Sequence, residues 1–153
     1  MNKDTNLLAE AYRCIYEGVN DPVRQFASQA HEEWRKNYQQ ASGNVPRIKK
    51  NPSDGTEGDI NVPFDKLHPD WQKENLAAGT AALNAVRRFP NDIEKGSEYI
   101  HNEWMKRNPK GDWNAAQHVP YQSLHEDEKE KDRVHYRTMA SLTGKTQQQP
   151  QAN

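Results

Sequence analysis

A chain of 153 residues has room for one compact domain with a buried core, yet only 33% of it is hydrophobic, 28% is charged and mean hydropathy is −1.23. That balance borders on the disordered class, and the four Trp and six Tyr, recurring at helical spacing, supply the core instead. A net charge of −1 and a pI near 6.6 argue against a nucleic-acid partner, the single Cys14 excludes an internal disulfide, and the absence of an apolar run like a signal peptide or membrane span points to a soluble cytoplasmic protein without membrane contact.

In chain order, Leu8, Ala11, Tyr12, Ile15 and Val19 share one helical face and predict an N-terminal helix over residues 1–20, closed by Gly18 and Asn20. Its apolar stripe is free either to cover the rest of the molecule or to join a second copy; a homodimer contact is the favoured expectation. Asp21 caps and Pro22 opens a second helix, with Val23, Phe26, Ala27, Ala30, Trp34 and Tyr38 in a continuous stripe. A loop over 41–61 follows, rich in Gly, Pro, Asn and Asp, with a basic run at Arg47, Lys49 and Lys50 and an acidic one at Asp54, Glu57 and Asp59. A helix then starts near Pro69 and Asp70, carries Leu76, Leu83 and Val86, and ends before Pro90. Asn91 is expected to cap the next helix, with Ile93, Ile100 and Trp104 on one face. A shorter loop holds Pro109, Gly111 and Trp113. The final helix runs from about Glu126 to Leu142, with His135, Met139 and Leu142 opposite a dense charge array, and residues 143–153 read as a disordered tail.

Two stretches repeat. Val62, Pro63, Phe64 and Leu67 match Val119, Pro120, Tyr121 and Leu124, and each set follows a His-x-x-Trp segment, His31 to Trp34 and His101 to Trp104. The interval from Val23 to Trp34 equals that from Ile93 to Trp104. The chain therefore reads as an internal duplication of residues 21–90 and 91–142. The Val-Pro-aromatic pieces, short and marked by Pro, are expected to form edge strands. The predicted fold is mainly α: two tandem units of helix, loop, short strand and helix in a pseudo-two-fold arrangement with minor antiparallel β, after an N-terminal helix.

The order Ala30-His31-Glu32-Glu33-Trp34, a loop, Val-Pro-aromatic, then Leu124 followed by Glu128-Lys129-Glu130-Lys131-Asp132-Arg133 resembles the ryanodine-receptor repeat, or RyR domain, across roughly residues 22–142. The first copy keeps Leu67 but has Trp71, Gln72 and Lys73 in its acidic stretch. The resemblance implies a helical module, used in tandem in calcium-release channels, that binds adenine nucleotides between its copies with the motif tryptophans against the base. It also implies a stand-alone bacterial or phage type that recognises nucleotide-derived signals.

The residues themselves agree with that use. His and Trp three positions apart share a helix face and offer an aromatic plate beside a ring nitrogen. Two such plates, Trp34 with His31 and Trp104 with His101, would sandwich a flat heterocycle. Lys36 and Lys106, with Arg35, stand where phosphates would be met, whereas Tyr38 and Asn108 occupy positions that are commonly basic in the resembled family, pointing to a less charged ligand or to sugar hydroxyls. The opposing reading puts Trp34 and Trp104 in the core. Gly144-Lys145-Thr146 echoes a P-loop ending, but Met139 stands where its first Gly belongs. His31-Glu32-Glu33-Trp34-Arg35 lacks the second His of a zinc-protease helix, and no metal or cofactor is expected. The reading that emerges is a non-enzymatic binder of a nucleotide-derived molecule, such as a phage sponge holding a host immune signal in the host cytoplasm. A hydrolase of the same nucleotide and a protein-interaction or virion-associated module are the alternatives.

Overall fold

The computed structural model describes residues 21–144, so the predicted N-terminal helix and its dimer contact, and the tail beyond residue 144, lie outside the described residues. The described chain is mainly helical. Helix α1 spans Pro22–Ser42, α2 Pro69–Arg88, α3 Ile93–Arg107 and α4 Glu126–Gly144. The starts of α1 and α2 have local causes. The Asp21 carboxylate accepts from the Val23 N–H at 2.9 Å with Pro22 in the first turn, and His68 Nδ1 accepts from the Asp70 N–H at 3.0 Å ahead of α2. Helix α2 ends at Arg88 because Pro90 drives Phe89 out of the helical region.

Three expectations need correction. Asp92, not Asn91, caps α3, its carboxylate accepting from the Lys95 N–H; Asn91 instead takes a left-handed φ of 63° in the tight turn between α2 and α3. Helix α4 continues through Gly144, two residues past the expected end at Leu142. The Val-Pro-aromatic pieces are not strands. Pro63 and Pro120 are extended (φ −56°, ψ 152° and φ −57°, ψ 148°), and each leads into a single 3-10 turn, Phe64–Lys66 or Tyr121–Ser123, closed by an N–H bond from the third residue on. The aromatic thereby turns inward without a partner strand.

The sheet lies elsewhere, in the long first loop. Strands β1, Ile48–Lys50, and β2, Glu57–Asp59, pair antiparallel with Lys50 opposite Glu57 and Ile48 opposite Asp59. The basic and acidic runs of the sequence thus fall mainly on the two strands of one hairpin, with Lys50 and Glu57 set directly across from each other. Its turn is pinned to the start of α2: the Ser53 N–H donates to Asp70, Asp54 pairs with His68 at 2.9 Å, and the Trp71 indole N–H donates to buried Asn51 at 2.8 Å.

All four helices meet in one core of Phe26, Ala82, Ala85, Val86, Ile100, Tyr136 and Met139, while Ala27, Phe64 and Leu67 form a satellite core beneath the hairpin. The two copies fill the same junction in opposite ways. In the first, α1 supplies Phe26 and α2 supplies Gly79, where a Cβ would lie 3.2 Å from the Phe26 ring. In the second, α3 supplies Gly96 and α4 supplies Tyr136, whose ring would meet a Cβ there at 2.3 Å. Large and small have exchanged helices, and the interhelical space stays filled.

Candidate functional site

Both His-x-x-Trp segments have one geometry. His31 and His101 are buried, and each Nε2–H donates to a carbonyl of its own copy, Val62 O or Val119 O, at 2.7 Å in both. The histidines are therefore latches that pin the Val-Pro segment to the helix, with Nε2 committed and Nδ1 left over. Each imidazole lies nearly parallel to its tryptophan, at 5.7 Å and 14° for His31 and Trp34 and 5.9 Å and 14° for His101 and Trp104.

Each tryptophan lines its own cavity. Trp34, with His31, Leu67, Trp71, Asn75 and Ala78, borders one of about 300 Å³. Trp104, with His101, Leu124, Glu128, Asp132 and His135, borders one of about 350 Å³. On the side of the second helix of each copy the linings correspond in the repeat: Leu67 answers to Leu124, Trp71 to Glu128, Asn75 to Asp132 and Ala78 to His135. His135 borders both cavities and sets its edge against Phe26 at 5.2 Å.

The two plates differ in what covers them. Trp34 is stacked one turn before by His31 and one turn after by Tyr38, at 5.2 Å and 7°. Trp104 has only His101 parallel to it, because Asn108 stands where Tyr38 would be; Trp113 meets it edge-on at 6.4 Å and 75°, and His118 is tilted against it at 6.0 Å. Trp113 is itself 73% exposed. Trp104 and Trp113 therefore form a two-walled aromatic corner, whereas Trp34 is the middle ring of a stack of three.

The polar candidates are mostly occupied. Arg35 pairs with Glu32 at 2.8 Å and reaches Asn61, the Tyr38 hydroxyl donates to Pro46 O, Asn108 Nδ2 donates to Trp104 O, and Lys106 pairs with Glu103 at 2.7 Å, which raises its pKa. Lys36 is exposed, with no hydrogen bond or ion pair among the described residues.

Asp132 belongs to the element that carries the family resemblance, but the sequence reading gives it no role in the site. It lies inside the Glu126 to Arg133 charge run, which by default is a solvated face, yet its side chain is only 15% exposed and lines the second cavity. Burial, and then the nearby Glu128, push its pKa up to about 7. His101 Nδ1 lies 3.9 Å from its carboxylate, too long for a hydrogen bond. His135, lowered by burial and by Arg107, is held neutral beside it. The signal available in sequence was the register of the two second helices, which sets Asp132 and His135 against Asn75 and Ala78.

No family model, curated protein or solved structure matches the chain. Among the described residues no three His, Cys, Asp or Glu side chains gather as a metal site, and no helix is long and apolar enough to cross a membrane.

Proposed function

We propose that the protein binds a nucleotide-derived small molecule and holds it unchanged, as a stand-alone tandem pair of RyR-type repeats, the arrangement a phage sponge for a signalling nucleotide would need. The observation that carries this reading is the aromatic corner of Trp104 and Trp113 at the mouth of the second cavity. A flat heterocycle stacked on Trp104 gains roughly 1–3 kcal/mol per base, and a volume of about 350 Å³ falls in the range of small-molecule pockets, roughly 300–1,000 Å³. The first cavity, whose Trp34 already has Tyr38 stacked parallel to it, is the secondary site in this reading.

One observation favours a second reading, a hydrolase: Asp132, with a pKa near 7 beside His101, has the protonation behaviour of a general acid or base. The same experiment separates the two. The purified protein is incubated with a nucleotide library and cell extract, washed, heated, and the released small molecules are identified by mass spectrometry. Intact nucleotide in near-stoichiometric amount supports a binder, and altered product supports the hydrolase. Release of nothing, with no nucleotide raising the melting temperature, contradicts both.

A further inference from the structure

The two cavities share a lining plan but not a chemistry. The first shares the edge of His135 but otherwise has Trp71, Asn75 and Ala78 at its inner wall, and its one acid there, Glu74, is drawn into an ion pair with Arg107 at 3.1 Å. The second places Asp132 and His135 on successive inward positions of α4, and neither has a hydrogen-bond partner among the described residues. Shielded polar groups without partners are costly in a finished core and useful where a ligand supplies the partner.

We propose that the second cavity is a purine-reading site in which Trp104 carries the base and Asp132 meets its hydrogen-bonding edge. This rests on the nucleotide reading above and adds the residue that selects the base. A carboxylate accepts two N–H bonds and so matches the adjacent imino and amino donors of guanine. A neutral carboxyl donates one bond and accepts one, which matches the ring nitrogen and amino group of adenine. Since Asp132 titrates near 7, the protein exchanges one preference for the other across neutrality. The charged and titratable groups around it are Glu128 and Lys131 on α4, paired with each other at 3.0 Å, His135 on α4 and His101 on α3; Trp113 and Gln117 close the side toward the loop without charge. Asn75, at the matching place in the first cavity, does not change charge and has no such exchange.

The test uses the full chain, with binding of GMP and of AMP followed by tryptophan fluorescence at pH 6 and pH 8. The ratio of the two affinities cancels the phosphate that both ligands share. The ratio of GMP to AMP affinity is expected to rise about ten-fold over that interval, as the ionised fraction of Asp132 rises. In Asp132→Asn the ratio should be flat and should favour AMP, while Trp34→Ala keeps the wild-type profile. A pH-independent ratio in the wild type, or an unchanged profile in Asp132→Asn, overturns the assignment. If both nucleotides bind and Trp104→Ala abolishes them while Asp132→Asn keeps the wild-type profile, the nucleotide reading stands and the role of Asp132 falls. If neither nucleotide binds at either pH, both fall together.

Discussion

Asp132 costs the protein stability, and the sign of that cost is measurable. Its pKa in the folded protein, about 7, lies above the ordinary 3.8, so between those values the folded state holds more protons than the unfolded one and stability falls as pH rises. Asp132→Asn removes the burden. The variant should match the wild type near pH 4 and exceed it by roughly 1–4 kcal/mol at pH 8, a bound set by about 1.36 kcal/mol per pKa unit; chemical denaturation at the two pH values checks this. Ser97 gives a second case. It is fully buried, its Oγ makes no hydrogen bond of good geometry among the described residues and has the Tyr121 hydroxyl near it, and its counterpart in the first copy is Ala27. Ser97→Ala should therefore be neutral or stabilising by up to about 1 kcal/mol, read as a rise in melting temperature.

At the scale of the elements, the helices are legible in the sequence because their stripes and caps are local: Asp21 with Pro22, the stripe from Val23 to Tyr38, and the stop before Pro90 all describe neighbours along the chain. The strands are not, since the Lys50 to Glu57 pairing depends on a turn whose Gly55, at a φ of 74°, lies inside what reads as an irregular loop. Val-Pro-aromatic misleads because proline's extended φ and ψ look the same in a strand and before a 3-10 turn. What fixes the outcome is tertiary, the imidazole N–H latching onto the carbonyl just before the proline. His101→Ala should accordingly lower stability by about 1–3 kcal/mol, with a buried carbonyl left unsatisfied. The Gly96 contact predicts a sharper failure: Gly96→Ala drives a Cβ into the Tyr136 ring and should cost about 1–3 kcal/mol or more. Pairing it with Tyr136→Gly should recover little, because removing that ring opens a cavity in the four-helix core.

Across the whole molecule, the two halves share a frame and differ in their contents. The latches, the parallel His–Trp pairs and the prolines before the turns match, while the aromatic at the helix junction has changed sides and the second cavity has Asp132 where the first has Asn75. Repetition in the sequence made the first half of that statement readable. The second was hidden because the plates suggest one shared jaw, whereas packing gives each tryptophan its own cavity, with Tyr38 parallel to Trp34 and Trp113 edge-on to Trp104. The measurement that bears most directly on this account is equilibrium dialysis of GMP and AMP against Trp104→Ala and Trp34→Ala, each checked to melt within a few degrees of the wild type. Loss of about five- to a hundred-fold in affinity for Trp104→Ala, the range of lost base stacking, with binding retained in Trp34→Ala, is the predicted result. Wild-type affinity in a folded Trp104→Ala variant would contradict it.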